Sequence, residues 1–582
     1  MSNTNATTVP EPVPSLARGA GGTNGKARSP MLVLAVVLTA TFMQLLDISI
    51  VGVAVASVQS SLNASYADVQ LVLVGYQIGF ASMLILSARL GDIYGRRTLF
   101  LVGMAAFTAA SIACGLAPTI ETLLVARVLQ GVASALMFSQ VLAIIQVLFD
   151  ARTRGAALGA YGTTIGLGTI LGPVLGGLLI QADIVTDQWR PIFLVNVPIG
   201  IVAFVAALFL LPQSKAPNRP RLDVLGALMS AVGLGLFLYA LSEGHTRGWP
   251  AWIAAMLAVG VVILVAFALY QWRLSRSDGD PILDVRLFAD RAFRVGVLLN
   301  LLFYAGVPGF FLVFSLYLQS GQRFSALGAG LAIFAYSIGA AITASNADAI
   351  ALKIGNRVLM VGAAGLLAGM LAMIATANIV GTNPHIYSWI PAMAISGLGF
   401  GLFVPPLIDI VLVNVDRARA GAASGALATM QQVGGALGVA ILGIIFFTLI
   451  GHNAPNAAGD ASITVSTAVA AAGATEPAPT LAAAHFQRCF VEQAQALDPT
   501  VTPPGCEVPP GVPPEVANSY ATAAADATGA TFATSFSQAM WYQVVIYLLV
   551  LILLFRLPKA NPRQLAALEA VAPDTAAPGN GG

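Results

Sequence analysis

The chain has 582 residues, of which 57% are hydrophobic and only 9% charged, with a mean hydropathy of +0.82 and a net charge of +2. Soluble domains carry about 45–50% apolar and about 25% charged residues, so water would not dissolve this chain as a globule. The small net charge and the lack of any Lys/Arg-dense tract argue against a nucleic-acid partner.

Residues 1–30 hold Arg18, Lys26 and Arg28 among Gly, Pro, Asn and Thr, with no apolar stretch and no obvious cleavage site, and read as a disordered cytoplasmic tail. Apolar runs follow at 31–57, 68–88, 98–117, 119–147, 154–181, 192–212, 222–242, 250–272, 294–318, 325–345, 357–378, 387–413, 420–450 and 536–557. Each meets the requirement of about 20 apolar residues per span, which makes fourteen spans and puts both termini on one side. With the N-terminus inside, 23 of the 28 Lys and Arg fall in inner segments, four (Arg190, Arg247, Arg323 and Arg488) fall outside, and Arg127 lies within a span. The positive-inside rule therefore places both termini in the cytoplasm.

Asp47 in span 1 and Arg127 in span 4 are the ionisable residues clearly inside spans of the first half. Each is unfavourable there by at least about 2.5–3.5 kcal/mol, so they are expected to face a shared central cavity, with Asp47 able to exchange a proton. A purely structural ion pair between spans 1 and 4 is the competing reading. Further polar groups that qualify as cavity lining are Gln44, Tyr76, Gln130, Tyr161, Asn300, Tyr304, Tyr336, Gln431 and Gln432. The span 9 aromatics Phe303, Tyr304, Phe310, Phe311 and Phe314 are expected to pack rather than bind, and Asp409 and Asn414 to lie at an interface near the inner end of span 12.

Span 5 carries Gly168-Thr-Ile-Leu-Gly172-Pro173-Val-Leu-Gly176-Gly177. Glycines at i, i+4 and i+8 beside a proline are tolerated only where a helix packs very closely on a neighbour or lines a cavity. Tight packing against the opposite half, with a bend at Pro173, is expected. Shifting the chain by 266 residues superposes this span on span 13: ten of the 23 positions from Asp150/Asp416 to Gly172/Gly438 are identical. The repeat is parallel and implies two related halves around an inserted helix pair, the plan of transporters that rock about a central site. A weaker echo sets Gly-Arg-Arg-Thr-Leu at 95–99 against Gly-Asn-Arg-Val-Leu at 355–359, with Leu352 in the place of Asp92.

The four histidines (His245, His385, His452 and His485) fall in outer loops, which removes an intramembrane histidine relay, and no metal-ligand cluster is present. No GxxxxGK[ST] string follows a strand pattern, so an ion gradient rather than ATP is the expected energy source. Residues 451–535, rich in Ala, Thr and Pro, read as a loosely ordered external cap. It contains Cys489 and Cys506, for which a disulfide is allowed outside the reducing cytosol, while Cys114 lies in span 3.

Together these strings resemble the major facilitator superfamily, specifically its fourteen-span drug:proton antiporters of the EmrB/QacA type. The similarity is carried by Leu-Leu-Asp-Ile-Ser-Ile-Val-Gly-Val-Ala-Val at 45–55, Ala-Arg-Leu-Gly-Asp-Ile-Tyr-Gly-Arg-Arg at 88–97, Arg-Val-Leu-Gln-Gly at 127–131, the span 5 string, and Trp-Arg-Pro-Ile-Phe-Leu-Val-Asn-Val-Pro-Ile-Gly at 189–200. Ala88 stands where the family usually has Gly. The resemblance implies an all-α polytopic membrane protein with two six-helix halves, 31–212 and 294–557, an inserted pair within 213–293 and a cytoplasmic tail at 558–582. It implies that Asp92, Arg96 and Arg97 form a cytoplasmic latch received near Gly421, and that Gly168, Gly172, Pro173, Gly176 and Gly177 are an antiporter motif. The implied activity is proton-coupled export of an amphiphilic drug across a bacterial cell membrane, by a monomer without cofactor or metal and without enzyme chemistry. Export of a self-made metabolite or lipid is the nearest alternative; an uptake symporter and a non-transporting receptor are further ones.

Overall fold

The structure, a computed structural model, describes residues 29–64, 66–149, 153–182, 189–213, 222–277, 281–381, 385–412, 415, 420–496, 503–506 and 512–557. The expected tails lie outside the described residues, apart from residues 29 and 30 at the inner edge of the first. Among the described residues there are helices and turns but no strand. The first half comprises α1 (Pro30–Val51), α2 (Val55–Leu62), α3 (Tyr66–Tyr94), α4 (Arg96–Gly115), α5 (Ile120–Leu148), α6 (Arg154–Gln181), α7 (Pro191–Leu194) and α8 (Asn196–Leu210). Then come the inserted α9 (Val224–Thr246) and α10 (Ala251–Arg276). The second half comprises α11 (Arg291–Leu316), α12 (Ala326–Ala344), α13 (Ala347–Ile354), α14 (Arg357–Val380), α15 (Ile390–Leu412), α16 (Ala420–Ala471), α17 (Ala478–Gln495) and α18 (Pro514–Leu554). Among the described residues, twelve helices are long and apolar enough to cross a membrane, and α12 holds a shorter apolar stretch at Gly328–Ala344. With α6, whose 28 residues extend about 42 Å at 1.5 Å each, fourteen helices are available to span about 30 Å of hydrocarbon.

The helix starts are written in the sequence. Pro30 opens α1, Thr119 and Thr122 cap α5 reciprocally, Asp290 accepts from the Phe293 amide at 2.9 Å, and Ser325 accepts from the Gly328 amide at 3.1 Å. Each satisfies amides that would otherwise be orphaned in an apolar setting.

The repeat seen in the sequence is present in the packing. In the first half α5 is sandwiched by α3 and α4, α1 lies along α6, and α4 meets α8; in the second, α15 is flanked by α12 and α14, α11 lies along α16, and α14 meets α18. Helices α6 and α16 begin at Arg154 and Ala420, 266 residues apart. A Cβ on Gly168 would lie 2.8 Å from Leu45 Cβ of α1, and one on Gly434 would lie 2.4 Å from the Leu301 carbonyl of α11. Gly172 and Gly438 repeat the close approach one turn on. The weaker echo also holds: Gly95 (φ 103°) turns the chain between α3 and α4, and Gly355 (φ 59°) turns it between α13 and α14. Both conformations are open to glycine and strained for other residues.

Two expectations are corrected here. Helix α6 does pack on the opposite half, along α12, but the first two glycines of the string do not make that contact: Gly168 and Gly172 pack on α1 of their own half, where Ser49 Oγ donates to the Gly168 carbonyl at 3.1 Å. Small residues admit the neighbouring backbone, and the helix that lies along α6 within its own half is α1 rather than α5, which precedes it in the chain. Contact between halves on α6 uses Gly159 against the Ala344 carbonyl and, within the string itself, Val174 against Gly330, and Ala88 of α3 meets Gly425 of α16. Helix α6 runs unbroken through Pro173.

The second correction concerns 451–535. Helix α16 continues past the expected end of its span to Ala471 through Pro455, α17 follows, and α18 begins at Pro514, so the cap is a helical mast rather than a loosely ordered segment. Ala461, Val465, Phe486, Ala523 and Ala527 form its own small core, with Gln487 donating to Ser462 Oγ at 2.8 Å. Alanine is the strongest helix former, and its small side chain allows close helix packing, so an Ala-rich polar stretch need not be loose. Consequently His452 and His485 lie on helices, as does His245 at the end of α9, rather than in loops.

Candidate functional site

Asp47 sits one turn before the end of α1, Arg127 lies two turns into α5, and Asn196 opens α8, so three helix segments bring polar groups to one depth of the first half. Asp47 is 0% and Arg127 1% exposed. The Arg127 guanidinium donates to Asp47 Oδ2 in a very short contact, while Asp47 Oδ1 accepts from Gln130 Nε2 at 2.9 Å and from Asn196 Nδ2 at 3.0 Å. Burying a lone carboxylate is unfavourable by several kcal/mol, and this set of three donors offsets it.

The neighbourhood holds the cation as firmly as the anion. Arg127 Nη1 also donates to Gln130 Oε1 at 2.7 Å, and its guanidinium lies 4.4 Å over the Tyr76 ring and 5.5 Å from that of Phe193. Gln130 Nε2 reaches Ser111 Oγ at 2.8 Å, Cys114 Sγ lies 3.5 Å from Gln130 Oε1, and Tyr76 donates to Ser134 Oγ at 2.8 Å. Arg127 thus has two acceptors in the cluster, the Asp47 carboxylate and Gln130 Oε1.

Sequence reading did not single out Asn196, Ser111 or Ser134. Asn196 lies inside the quoted 189–200 string, where an amide in an otherwise apolar run was the available signal.

Asp92, expected on a loop, occupies the last turn of α3 and is 3% exposed, paired with Arg96 at 3.1 Å. Arg96 also donates to the Ala143 carbonyl of α5 at 3.3 Å, and half-buried Arg97 donates to the Leu208 carbonyl of α8 at 2.6 Å. The expected receiver near Gly421 adjoins residues 416–419, which lie outside the described residues. Gly425, one turn into α16, packs against Ala88, one turn before Asp92.

The remaining candidates separate. Tyr76 and Gln130 are committed to the Asp47–Arg127 cluster. Asn300 bridges helices, donating to the Leu427 carbonyl of α16 at 3.0 Å. Gln44 is buried with Oε1 unpartnered, Tyr161 and Tyr304 have buried hydroxyls without a partner, Tyr336 is buried among aromatic rings, and Gln431 and Gln432 are half-buried on α16. Gly176 is buried on α6, a Cβ on Gly177 would meet nothing within 4 Å, and the side chain of Pro173 lies outside the described residues. Asp409 is half-buried on α15, and Asn414 lies outside the described residues. Cys489 and Cys506 are joined by a disulfide, with Cα atoms 5.5 Å apart. Among the described residues no group of three or more His, Cys, Asp or Glu is placed to hold a metal ion.

The sequence pattern of the Major Facilitator Superfamily matches residues 37–224 and again 216–439, and the chain belongs to that family. It is 37% identical over 532 residues to the "Probable actinorhodin transporter" of Streptomyces coelicolor, covering 91% of this chain and 92% of that protein. It is 31% identical over 480 residues to the "Tetracenomycin C resistance and export protein" of Streptomyces glaucescens, covering 80% of this chain and 86% of that one. Its fold matches the major facilitator proton:xylose symporter XylE with a TM-score of 0.55 at 13% identity, over 93% of this chain and 98% of that one. The protein is therefore a multi-pass membrane transporter and not an enzyme, of a family that generally works on ion gradients without a cofactor.

Proposed function

We propose that this major facilitator protein is a proton-coupled exporter that carries amphiphilic small molecules from the cytoplasm or inner leaflet to the outside of a bacterial cell membrane, working as a monomer with both termini in the cytoplasm. The observation that carries the reading is the buried Asp47 carboxylate, held by Arg127, Gln130 and Asn196. A proton taken from outside neutralises Asp47, frees Arg127 and permits one conformation; its release to the cytoplasm restores the pair and favours the other. Coupling follows if cargo and proton exclude each other. Asp92, Arg96 and the start of α16 act as the latch on the cytoplasmic side, and the glycine string on α6 keeps α1, and with it Asp47, in register. The name of the Streptomyces glaucescens relative, a resistance and export protein, supports export.

The test uses inside-out vesicles with a fluorescent amphiphile. An inward-acidic gradient should drive uptake by the native protein, with proton release from the lumen, and Asp47→Asn should remove gradient-driven uptake while leaving a folded, monodisperse protein. Gradient-driven uptake that persists in a well-folded Asp47→Asn variant would sink the coupling role.

A further inference from the structure

Asn196 is 0% exposed in the first turn of α8, and its side-chain amide is engaged at one end. Its Nδ2 donates to Asp47 Oδ1 at 3.0 Å, whereas its Oδ1 is buried with no hydrogen-bond partner among the described residues. The other two donors to Asp47 differ. The Arg127 guanidinium has no acceptor atom, and Gln130 Oε1 already accepts from Arg127 at 2.7 Å and from Cys114 Sγ at 3.5 Å. Of the three, Asn196 alone holds an open acceptor.

A carboxylate takes donors only, but a carboxylic acid needs an acceptor for its own O–H. Asp47 Oδ2 faces Arg127, which stays charged, so a proton on Asp47 belongs on Oδ1, the oxygen that Gln130 and Asn196 face. There the new O–H meets two N–H groups and no acceptor, an unfavourable arrangement in a buried site. A half-turn of the Asn196 amide exchanges its two ends. It brings Oδ1 to the place held by Nδ2 and gives the acid its acceptor. Leucine would fill the space at 196 without burying an unpartnered oxygen, so packing alone gives no reason for an amide there.

Other ionisable groups around Asp47 are few. Tyr76 of α3 and Cys114 of α4 are close enough to feel its charge, and they donate to Ser134 and Gln130 respectively. Helix α6 carries no ionisable residue from Gly162 to Gln181, and α7 and α8 carry none.

We infer that Asn196 is a positioning residue with two faces: its amide donates to Asp47 when the carboxyl is charged, and turns over to accept from it when the carboxyl is protonated. This rests on the coupling role proposed above for Asp47 and adds the group that accommodates the protonated state. The proton is the one taken from outside, and no other group changes its charge in the step.

The experiment is infrared difference spectroscopy of the purified full-length protein between alkaline and acid buffer. A carboxylic-acid band that Asp47→Asn removes marks the proton on Asp47. In native protein labelled isotopically at the asparagine side-chain carbonyl, one amide band should move in step with it, to lower frequency as the oxygen gains a donor, and Asn196→Leu should abolish that movement. The label excludes Gln44, whose open Oε1 lies about one turn before Asp47 on α1. An Asp47 band without an asparagine shift, or a shift that survives Asn196→Leu, overturns the turning amide and leaves proton coupling standing. No Asp47 band rejects both. Asn196→Leu is close to the native side chain in size and leaves Asp47 two donors; should it fail to fold, an absent asparagine shift in the native spectra still rejects the proposal.

Discussion

Gly172→Ala is the sharpest test of why span 5 is written in glycine. A Cβ there would stand 1.9 Å from Ser49 Oγ, 2.7 Å from Ser49 Cβ and 2.9 Å from the Ile50 amide nitrogen. Rotating Ser49 relieves only the first contact, and it gives up the hydrogen bonds of Oγ to the Leu45 and Gly168 carbonyls at 2.8 and 3.1 Å. The other two contacts involve atoms tied to the α1 backbone, so α1 must move away from α6. Overpacking of this kind is unfavourable by about 1–3 kcal/mol, or about 5- to 150-fold in an equilibrium constant. Asp47 lies two residues before Ser49, so the displacement also disturbs its contacts with Arg127 and Asn196. Gly177→Ala is the matched control, since a Cβ there meets nothing within 4 Å, and the change gains up to about 1 kcal/mol of helix propensity. Thermal inactivation of the detergent-purified variants and gradient-driven uptake in vesicles are to be compared. Gly172→Ala should be the less stable and should lose most uptake, and adding Ser49→Ala should restore part of both. Equal stability and uptake in the two alanine variants would refute the packing argument.

Arg96→Ala takes from the buried Asp92 carboxylate its hydrogen-bonded cation and leaves it only the nearby Arg89, which should destabilise the protein by up to about 3–5 kcal/mol and reduce the monodisperse fraction on size exclusion, whereas Asp92→Asn/Arg96→Ala should recover folding without restoring the proposed latch. Replacing both Cys489 and Cys506 by Ser opens a link across 17 residues, a loss of about 3 kcal/mol on chain-entropy grounds; protease cutting between α17 and α18 should rise while uptake stays within about twofold. Asn300→Ala removes one helix-bridging hydrogen bond, so stability should fall by about 1 kcal/mol with the order of cargo preferences unchanged in a growth-inhibition panel.

The membrane class, the span pattern and the twofold repeat were legible because each is a property of local composition or of residue identity at a fixed offset. Runs of about 20 apolar residues admit few alternatives to a spanning helix, and the 266-residue offset coincides with the starts of α6 and α16. Asp47 and Arg127 stood out for the same reason, since an ion inside an apolar run demands a partner and each was the obvious one for the other.

Partner choice beyond that was decided by packing. A glycine string announces a close neighbour but not which one, and only the helix arrangement chooses α1 over the opposite half. Tyr76 and Gln130 looked like cavity lining because a polar residue in a span has the same sequence signature whether it holds Arg127, bridges helices as Asn300 does, or keeps an unpaired hydroxyl as Tyr161 and Tyr304 do. Asn196 joins the Asp47 cluster from a helix start 149 residues away, a distance over which local pattern carries no information. The mast was missed for a related reason. Alanine favours a helix but does not say whether another helix will lie against it, and that is settled where α16, α17 and α18 meet around Phe486. The sequence by itself thus determined the solvent, the number of spans and the halves, because those follow from local transfer energies. The tertiary structure alone decided which buried polar groups are satisfied and which remain open, because that depends on distances between residues far apart in the chain.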